Sequence, residues 1–600
     1  MNHGLATKQR GQEECSVATG STEVTEISFQ QPFSSGSLRK LRDLCGPNPS
    51  GLWSQCASFA LWLLSKNLCL LSVGRSLRRA PQSRIGALGE VALPSRPGSW
   101  SQSARFSWRN LPTLARLLTI FSFLPVPHST HAATPPPAVA LAPSRASRPG
   151  LVRVPSIQSG LIFTNLLTPA AAAENQVRLN GSGVAAGDID GDGRCDLFFA
   201  ALQGSCRLFR NLGAWRFEDI TKSSHLPLSN NLYAAGAALV DVDGDRDLDL
   251  LITSVGGGTR LFLNDGEGHF EENPKAGLIA QFGATSLALA DVDGDADLDL
   301  YVANYRTTTI RSTGFSVLNV GGRRVIRPED RDRLEYLPDG RILEHGEPDI
   351  LYLNDGRGLF SPVSWTGGRF LDVSGTPLAR PPLDWALSAA FRDLDGDGDP
   401  DLYVCGDFQS PDHLWINDGK GVFRALPALS LRNTPTFSMS VDFADLNRDG
   451  FDDFLVADML DPQHSFRMTQ SPGAMATTGA FESLLDRPQL GRNVLQLNRG
   501  DATFAELAYF AGLEATGWTW SVLFLDVDLD GFEDLITANG HLFDTQDLDA
   551  NARIDAAGPY RPDQIPGKLL KYPPPQRAES GISQWRRDAV RRSSRWLGSR

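Results

Sequence analysis

Short apolar runs of four to seven residues, separated by Asp- and Gly-rich punctuation, recur through the middle of the 600-residue chain. Small and apolar residues precede acidic loops at Ala234–Val240, Ala284–Ala290, Ala386–Phe391 and Trp520–Leu525. Other apolar runs follow such loops at Leu197–Ala200, Leu250–Thr253, Leu300–Ala303, Leu402–Cys405, Phe454–Ala457 and Leu535–Ala538. Runs of this length with this punctuation fit buried strands better than helices.

The loops between the runs form an internal repeat. One nine-residue pattern starts at Asp188, Asp241, Asp291, Asp393, Asp445 and Asp526, with spacings of 53, 50, 102, 52 and 81. An Asn-x-Gly follows each of the first five, at Asn211, Asn264, Asn354, Asn417 and Asn498. Between apolar residues it reads as a tight hairpin turn with φ > 0 at both turn positions. About 50 residues per unit with several short strands is the signature of a β-propeller blade. The long spacings place insertions near 306–345 and 459–488. The expected fold is all-β: a propeller of about seven blades, six of them recognisable by their loops, in a ring that is incomplete as read.

The loops offer oxygen ligands at alternate positions, which suits Ca²⁺ with its six to eight oxygens. Side-chain ligands are expected from Asp188, Asp190, Asp192 and a bidentate Asp196, with the carbonyl of Arg194 between. The same roles fall to Asp241, Asp243, Asp245, Asp247 and Asp249, and to Asp291, Asp293, Asp295, Asp297 and Asp299. They recur in Asp393, Asp395, Asp397, Asp399 and Asp401, and in Asp445, Asn447, Asp449, Phe451 and Asp453. The sixth loop supplies Asp526, Asp528, Asp530, Phe532 and Asp534. Up to six Ca²⁺ are expected. An EF-hand needs a carboxylate at position 12, where these loops carry Phe199, Ile252, Val302, Val404, Val456 and Thr537. Mg²⁺ prefers fewer protein oxygens, and Zn²⁺ would call for Cys or His ligands. Position 6 favours Gly for a left-handed turn, yet the second and third loops carry Arg246 and Ala296, at about 1 kcal/mol each.

Charge sharpens this picture. The whole chain carries −13, but residues 151–560 hold 31 basic and 61 acidic residues, net −30, while both ends are basic. Nearly half of those acids, 28, lie in the six loops. Such acidity argues against a nucleic-acid surface. At the N-terminal end, Arg109 and Arg116 precede the apolar run Leu117–Val126 and the small residues up to Ala133, the parts of a secretory signal. The expected organisation is an unassigned, disordered extension over 1–105, a signal-like segment over 106–133 and a Pro/Ala-rich linker over 134–155. A propeller over 156–560 and a disordered basic tail over 561–600 follow. Its position makes residues 1 to about 105 read as an upstream extension of a secreted chain. Trp53–Val73 is apolar but holds Lys66 and Asn67, so membrane contact is expected only if an N-terminal apolar segment is retained. Cys195 and Cys206 could pair across a hairpin in an oxidising compartment.

The D-x-D-G-D-G-x-x-D-L loop with its downstream L-x-x-N-D-G-x-G-x-F hairpin resembles FG-GAP/VCBS repeats, over about 155–575. The resemblance implies the calcium-stabilised propeller of integrin α-subunits. Leu300-Tyr-Val-Ala-Asn-Tyr305, Val456-Ala-Asp-Met-Leu460 and Ile536-Thr-Ala-Asn-Gly-His541 resemble the secreted relatives of cartilage acidic protein, with their ASPIC/UnbV C-terminal domain. The pattern departs after the sixth loop, where no Asn-x-Gly hairpin occurs near residue 549. A truncation or frameshift near 575–580 is the expectation, leaving Leu161–Leu166 without a closing partner.

Arg499-Gly500-Asp501 is an RGD, but it falls on the fifth hairpin, where the repeat alone explains Gly500. His541 reads as a hydrogen-bonded structural histidine. No nucleophile elbow, P-loop or H-E-x-x-H is present. The expected function is that of a secreted, extracellular or cell-surface (in bacteria, periplasmic or exported) binding or adhesion module. Its metals would be structural and its partner a protein or glycan. The alternatives are a propeller-based polysaccharide-acting hydrolase and a non-functional truncated copy.

Overall fold

The computed structural model describes Ser28–Phe29 and residues 151–574, apart from 227–230, 338–339, 409, 471–486, 528–530, 559 and 562–563. The signal-like segment, nearly all of the extension and linker, the tail beyond 574, and Asp528 and Asp530 lie outside the described residues.

Each Asp loop joins the first two strands of an antiparallel sheet. The first unit comprises β1 (Val184–Gly187), β2 (Asp196–Phe199), β3 (Arg207–Asn211) and β4 (Phe217–Asp219). The second comprises β5 (Ala234–Val240), β6 (Asp249–Ser254), β7 (Gly258–Asn264) and β8 (Phe270–Glu272). The third comprises β9 (Ala284–Ala290), β10 (Asp299–Asn304), β11 (Ile350–Asn354) and β12 (Phe360–Pro362). The fourth comprises β13 (Ala386–Arg392), β14 (Asp401–Gly406), β15 (His413–Asn417) and β16 (Phe423–Ala425), with Phe370–Leu371 added in parallel to β16. The fifth comprises β17 (Val441–Ala444), β18 (Asp453–Val456), β19 (Val494–Asn498) and β20 (Phe504–Glu506). The sixth has two strands among the described residues, β21 (Thr519–Leu525) and β22 (Asp534–Asn539). The strands expected from the apolar runs therefore form, most within a residue or two. Among the described residues every sheet is open.

The register is the same throughout. The ninth loop residue opens the second strand opposite the last residue of the first, as in Gly187↔Asp196, Val240↔Asp249 and Leu525↔Asp534. The hairpin Asn ends the third strand opposite a Phe, as in Asn264↔Phe270 and Asn417↔Phe423. Because the strands are antiparallel, the start of the second and the end of the third lie at one sheet edge. Loop and hairpin are thus brought side by side.

The hairpins are wider than a two-residue turn. Gly266, Gly356 and Gly419 are left-handed at φ +74, +70 and +69, but the preceding Asp is not. Its side chain instead accepts backbone N–H groups two residues on, Glu267 N to Asp265 Oδ1 at 2.9 Å for example, which fixes an ordinary backbone there.

First strands of successive units pack in series: β1 beside β5, β5 beside β9, β9 beside β13, β13 beside β17 and β17 beside β21. Fully buried aromatics of the second and third strands, including Phe198, Phe262, Tyr301, Tyr403 and Phe454, fill the space between sheets. Each contributes about 1.5–3 kcal/mol through burial. One further apolar cluster draws on several units, through Val255, Tyr305, Trp385, Met439, Met459 and Val522.

The insertion after β10 forms two small hairpins, Val317–Val320 with Arg323–Ile326 and Leu334–Tyr336 with Ile342–Glu344. Leu161–Leu166 is irregular, holding a single bridge from Leu166 to Gln203. After β22 the chain becomes helical, with α1 (Leu548–Ala556) and α2 (Ile565–Leu569). Residues 564–574, which fall in the expected disordered tail, are ordered because Leu569 is buried with Leu167, Ala172 and Phe543. No helix among the described residues is long and apolar enough to cross a membrane.

Cys195, Cys206 and Cys405 are free thiols. Cys195 precedes β2 beside Asn211, whereas Cys206 precedes β3, and the pairing Leu197↔Phe209 and Phe199↔Arg207 sets the two at opposite ends of the hairpin. Strand geometry rules out the disulfide.

Candidate metal centre

The first Asp of each loop curls it by accepting backbone N–H groups. Asp188 accepts from Asp192 N at 3.1 Å and Gly193 N at 2.8 Å. Asp241 accepts from Gly244 and Arg246, Asp291 from Gly294 and Ala296, and Asp393 from Gly396 and Gly398, all at 2.8–3.0 Å. Asp445 accepts from Asp449 and Gly450, and Asp526 from Gly531. This curl requires the left-handed sixth position that the sequence pointed to: Gly193, Arg246, Ala296, Gly398, Gly450 and Gly531 lie at φ +79, +80, +76, +98, +93 and +85. In the first five loops the fourth position is left-handed too, at φ +65 even where it is Arg448.

Ligand atoms of Asp188, Asp190 and Asp196 come within 4.8 Å of one another. The same holds for Asp241, Asp243 and Asp249, for Asp291, Asp293 and Asp295, and for Asp393, Asp395 and Asp401. In the fifth loop Asn447 instead donates Nδ2 to Asp449 at 2.8 Å. The sixth retains Asp526, Phe532 and Asp534 among the described residues.

The seventh-position side chains face the hairpin of their own unit. A Cβ on Gly266, Gly356 or Gly419 would lie 2.5, 2.5 or 2.2 Å from a carboxylate oxygen of Asp247, Asp297 or Asp399. On Gly500 it would lie 2.5 Å from the Phe451 ring. The backbone carbonyl is left as the seventh residue's donor, and the hairpin glycine is required by contact as well as by φ.

In the first five loops the ninth Asp is buried and does two jobs. Its Oδ2 accepts the N–H of the second loop residue, Ile189 at 3.1 Å, Val292 at 3.0 Å and Leu394 at 2.9 Å among them. Its Oδ1 accepts the N–H of the hairpin Asn, at 2.6 Å for Asn211 and 2.9 Å for Asn354, Asn417 and Asn498. Burial pushes Asp196, Asp249, Asp299, Asp401 and Asp453 up to about 7, the backbone donors pull them down, and neighbouring loop carboxylates push them up again.

The donor set fits a hard dication. Every side-chain donor is an oxygen, and Asp190 Oδ1 and Asp293 Oδ1 are buried without a hydrogen-bond partner. The guanidinium of Arg210 reaches Asp190 at 2.7 Å, and that of Arg369 reaches Asp293 at 3.7 Å. These bring positive charge to two loops without filling the second oxygen.

Two features escaped the sequence reading. The hairpin Asn of each later unit donates Nδ2 across the interface to the second-residue carbonyl of the loop before it. Asn264 reaches Ile189 O at 2.9 Å, Asn354 reaches Val242 O at 2.8 Å, Asn417 reaches Val292 O at 2.9 Å and Asn498 reaches Leu394 O at 2.8 Å. Buried pairs Tyr301–Asp349 and Tyr403–Asp412, at 2.7 and 2.6 Å, also lie inside the sheets. An Asp five residues before the hairpin Asn in units three and four was their signal.

A chemically regular loop, a hairpin locked to it and a bond onward to the next unit define the repeat, and comparison with known families agrees. The FG-GAP-like repeat matches residues 188–252, 241–302, 344–404 and 393–456. The chain carries four FG-GAP-like repeats. Each matched segment runs from one unit into the strands of the next or spans the hairpin between. Comparison with curated proteins gives no match. Among solved structures, the chain is similar to an Agrocybe aegerita lectin that recognises non-reducing terminal N-acetylglucosamine, at 16% identity and a TM-score of 0.33, covering 59% of this chain and 73% of the lectin. It is also similar to the Vibrio cholerae biofilm matrix protein Bap1, at 15% identity and a TM-score of 0.25, covering 47% of this chain and 36% of that one.

His541 is buried, bonded through Nδ1 to Phe543 and stacked on Trp518 at 4.1 Å. Burial pushes it down to about 4. Gly500 of the RGD donates to Asn498, and Asp501 accepts from Thr503, as the hairpin requires.

Proposed function

We propose that the FG-GAP-like repeats form a calcium-stabilised β-propeller that acts as an extracellular binding or adhesion module. The metals, up to six, are structural. The observation that carries this reading is the recurring all-oxygen loop, with its crowded carboxylates and the unpartnered Asp190 and Asp293 oxygens. Serial packing of first strands, and an apolar cluster that draws on several units, support the radial arrangement. The partner is a protein or a glycan, contacted through the insertions that vary on a rigid scaffold. In each loop, the first, third, fifth and ninth residues would hold the ion with the seventh carbonyl, and the ion would supply positive charge where carboxylates converge. The chain's own residues do the rest: the first Asp curls the loop and the ninth Asp ties it to the hairpin.

The test is a calcium titration of the full chain with a thermal-unfolding readout. At a free concentration one hundred times Kd, one site adds about 2.7 kcal/mol by mass action. Unfolding temperature should rise with calcium, and Asp393→Ala with Asp395→Ala should reduce the rise. An unfolding temperature indifferent to millimolar calcium would overturn the reading.

A further inference from the structure

The second unit carries a different chemistry on its outer hairpin. Asp265, Glu267 and His269 bring two carboxylates and an imidazole within 4.8 Å of one another. The ring of His225, from the turn before the unit, stacks on His269 with centroids 5.0 Å apart. That contact is built in, because Phe270 N donates to Ser224 O at 2.9 Å and so holds residues 225 and 269 side by side. His269 Nδ1 also lies 3.0 Å from Asp265 Oδ2, a carboxylate–imidazole contact of the kind that fixes a ligating ring.

The other units are an internal control. The same backbone bond recurs as Phe360 N to Ala276 O, Phe423 N to Arg369 O and Phe504 N to Ser430 O. The residues flanking it there are Gly277 and Leu359, Phe370 and Val422, and Leu431 and Thr503. At the position of Glu267 the third and fourth hairpins carry Arg357 and Lys420. The turn itself needs none of the second unit's changes. Asp355 and Asp418 accept the same backbone N–H groups as Asp265, with apolar or basic neighbours. The fifth hairpin carries Asp501 at the Glu267 position but Leu431 and Thr503 beside it, so among units two to five the second combines two imidazoles with an acid at one spot and the other three do not.

We propose that His225, Glu267 and His269, with Asp265 orienting the His269 ring, form a surface site for a borderline transition-metal dication such as Zn²⁺, distinct in chemistry from the all-oxygen loops. Imidazole with carboxylate suits zinc, nickel or copper, whereas calcium takes oxygen alone. The site adjoins the first loop: Arg210 donates to Glu267 O at 3.4 Å and pairs with Asp190.

The test titrates the full chain with Zn²⁺, and separately with Co²⁺, in calcium sufficient to saturate the loops. Binding of one equivalent is expected, with cobalt giving a visible absorption band. His269→Ala and His225→Ala should each remove the band and weaken zinc at least tenfold. Asp265→Asn, which loosens the ring's orientation, should weaken it by about tenfold. Unchanged calcium-dependent unfolding temperatures would show that the variants fold. Absence of zinc binding at 100 µM, or binding that the two histidine variants leave intact, would overturn the proposal.

Discussion

Removing the Tyr301 hydroxyl probes whether the buried Tyr–Asp pairs act as units. Tyr301 is 1% exposed, and its hydroxyl donates to Asp349 Oδ2 at 2.7 Å while Asn304 N donates to Oδ1 at 2.7 Å. A hydrogen bond to a charged group is worth about 1.5–3 kcal/mol, so Tyr301→Phe should cost about 2 kcal/mol near pH 7.5. The fifth unit offers the matched alternative: Leu455 sits where Tyr301 does, and Asn493 stands where Asp349 does, accepting from Asp458 N at 2.7 Å. Tyr301→Phe combined with Asp349→Asn should therefore be less damaging than the two single changes added, by about 1 kcal/mol or more. Urea unfolding in saturating calcium, followed by tryptophan fluorescence, measures the cycle. The pH dependence is a second readout. Burial pushes Asp349 up to about 7, against about 3.9 when unfolded. The folded state then holds more protons between those values, so this group's contribution is complete below about pH 4 and is lost as pH rises through 7. Asp349→Asn should gain on the parent protein over that interval. A coupling within about 0.5 kcal/mol of zero, or parallel pH profiles, would refute the account.

The cross-unit asparagines should differ in cost. Asn264→Ala leaves the Ile189 carbonyl without its donor and should cost about 1–3 kcal/mol, whereas Val292 O keeps Gly421 N at 2.8 Å after Asn417→Ala, so that change should cost less. Chemical unfolding orders the two, and the reverse order would count against the seam. Arg246→Gly and Ala296→Gly should each relieve about 1 kcal/mol of left-handed strain, partly offset by the freer unfolded chain. Gly398→Ala should cost about as much with no steric clash, as nothing lies within 4 Å of the added Cβ. Unfolding temperatures in calcium report all three.

Most strands flanking a loop were legible in the sequence because they are short apolar runs bounded by Asp and Gly, and their neighbours in space are their neighbours in the chain; Val184–Gly187 and Val441–Ala444, the latter broken by Asp442, were not. The left-handed sixth position was legible from Gly alone, and Arg246 and Ala296 stood out against it. The hairpin turn was misread because Asn-x-Gly has a local and a longer solution. The Asp side chain selects the longer one by accepting the N–H of the residue two along. The dual task of the ninth Asp was invisible for a different reason. Its donors, Ile189 N and Asn211 N for Asp196, are backbone groups whose approach depends on the register of the third strand. The cysteine pairing failed on the same count: Cys206 lies eleven positions after Cys195, but the register sets them at opposite ends of one hairpin.

The acid surplus and the seam between units are one feature seen at two scales. Five ninth-position carboxylates are buried beside their loop neighbours, so the metal-free loop concentrates repulsion where each unit meets the next. The second residue of the first four loops whose next unit carries a hairpin donates its N–H to the loop's own ninth Asp. In all four, at Ile189, Val242, Val292 and Leu394, its carbonyl accepts from the following unit's Asn. A single peptide thus carries both the loop's internal bond and its bond onward. Any cation that relaxes the loop acts on the interface through that residue. Under the calcium reading, six ions would take −30 to about −18. The relief would be delivered at the seams, not spread over the surface. Stability in such an array depends on neighbour interfaces as much as on each unit, which is where these acids are placed.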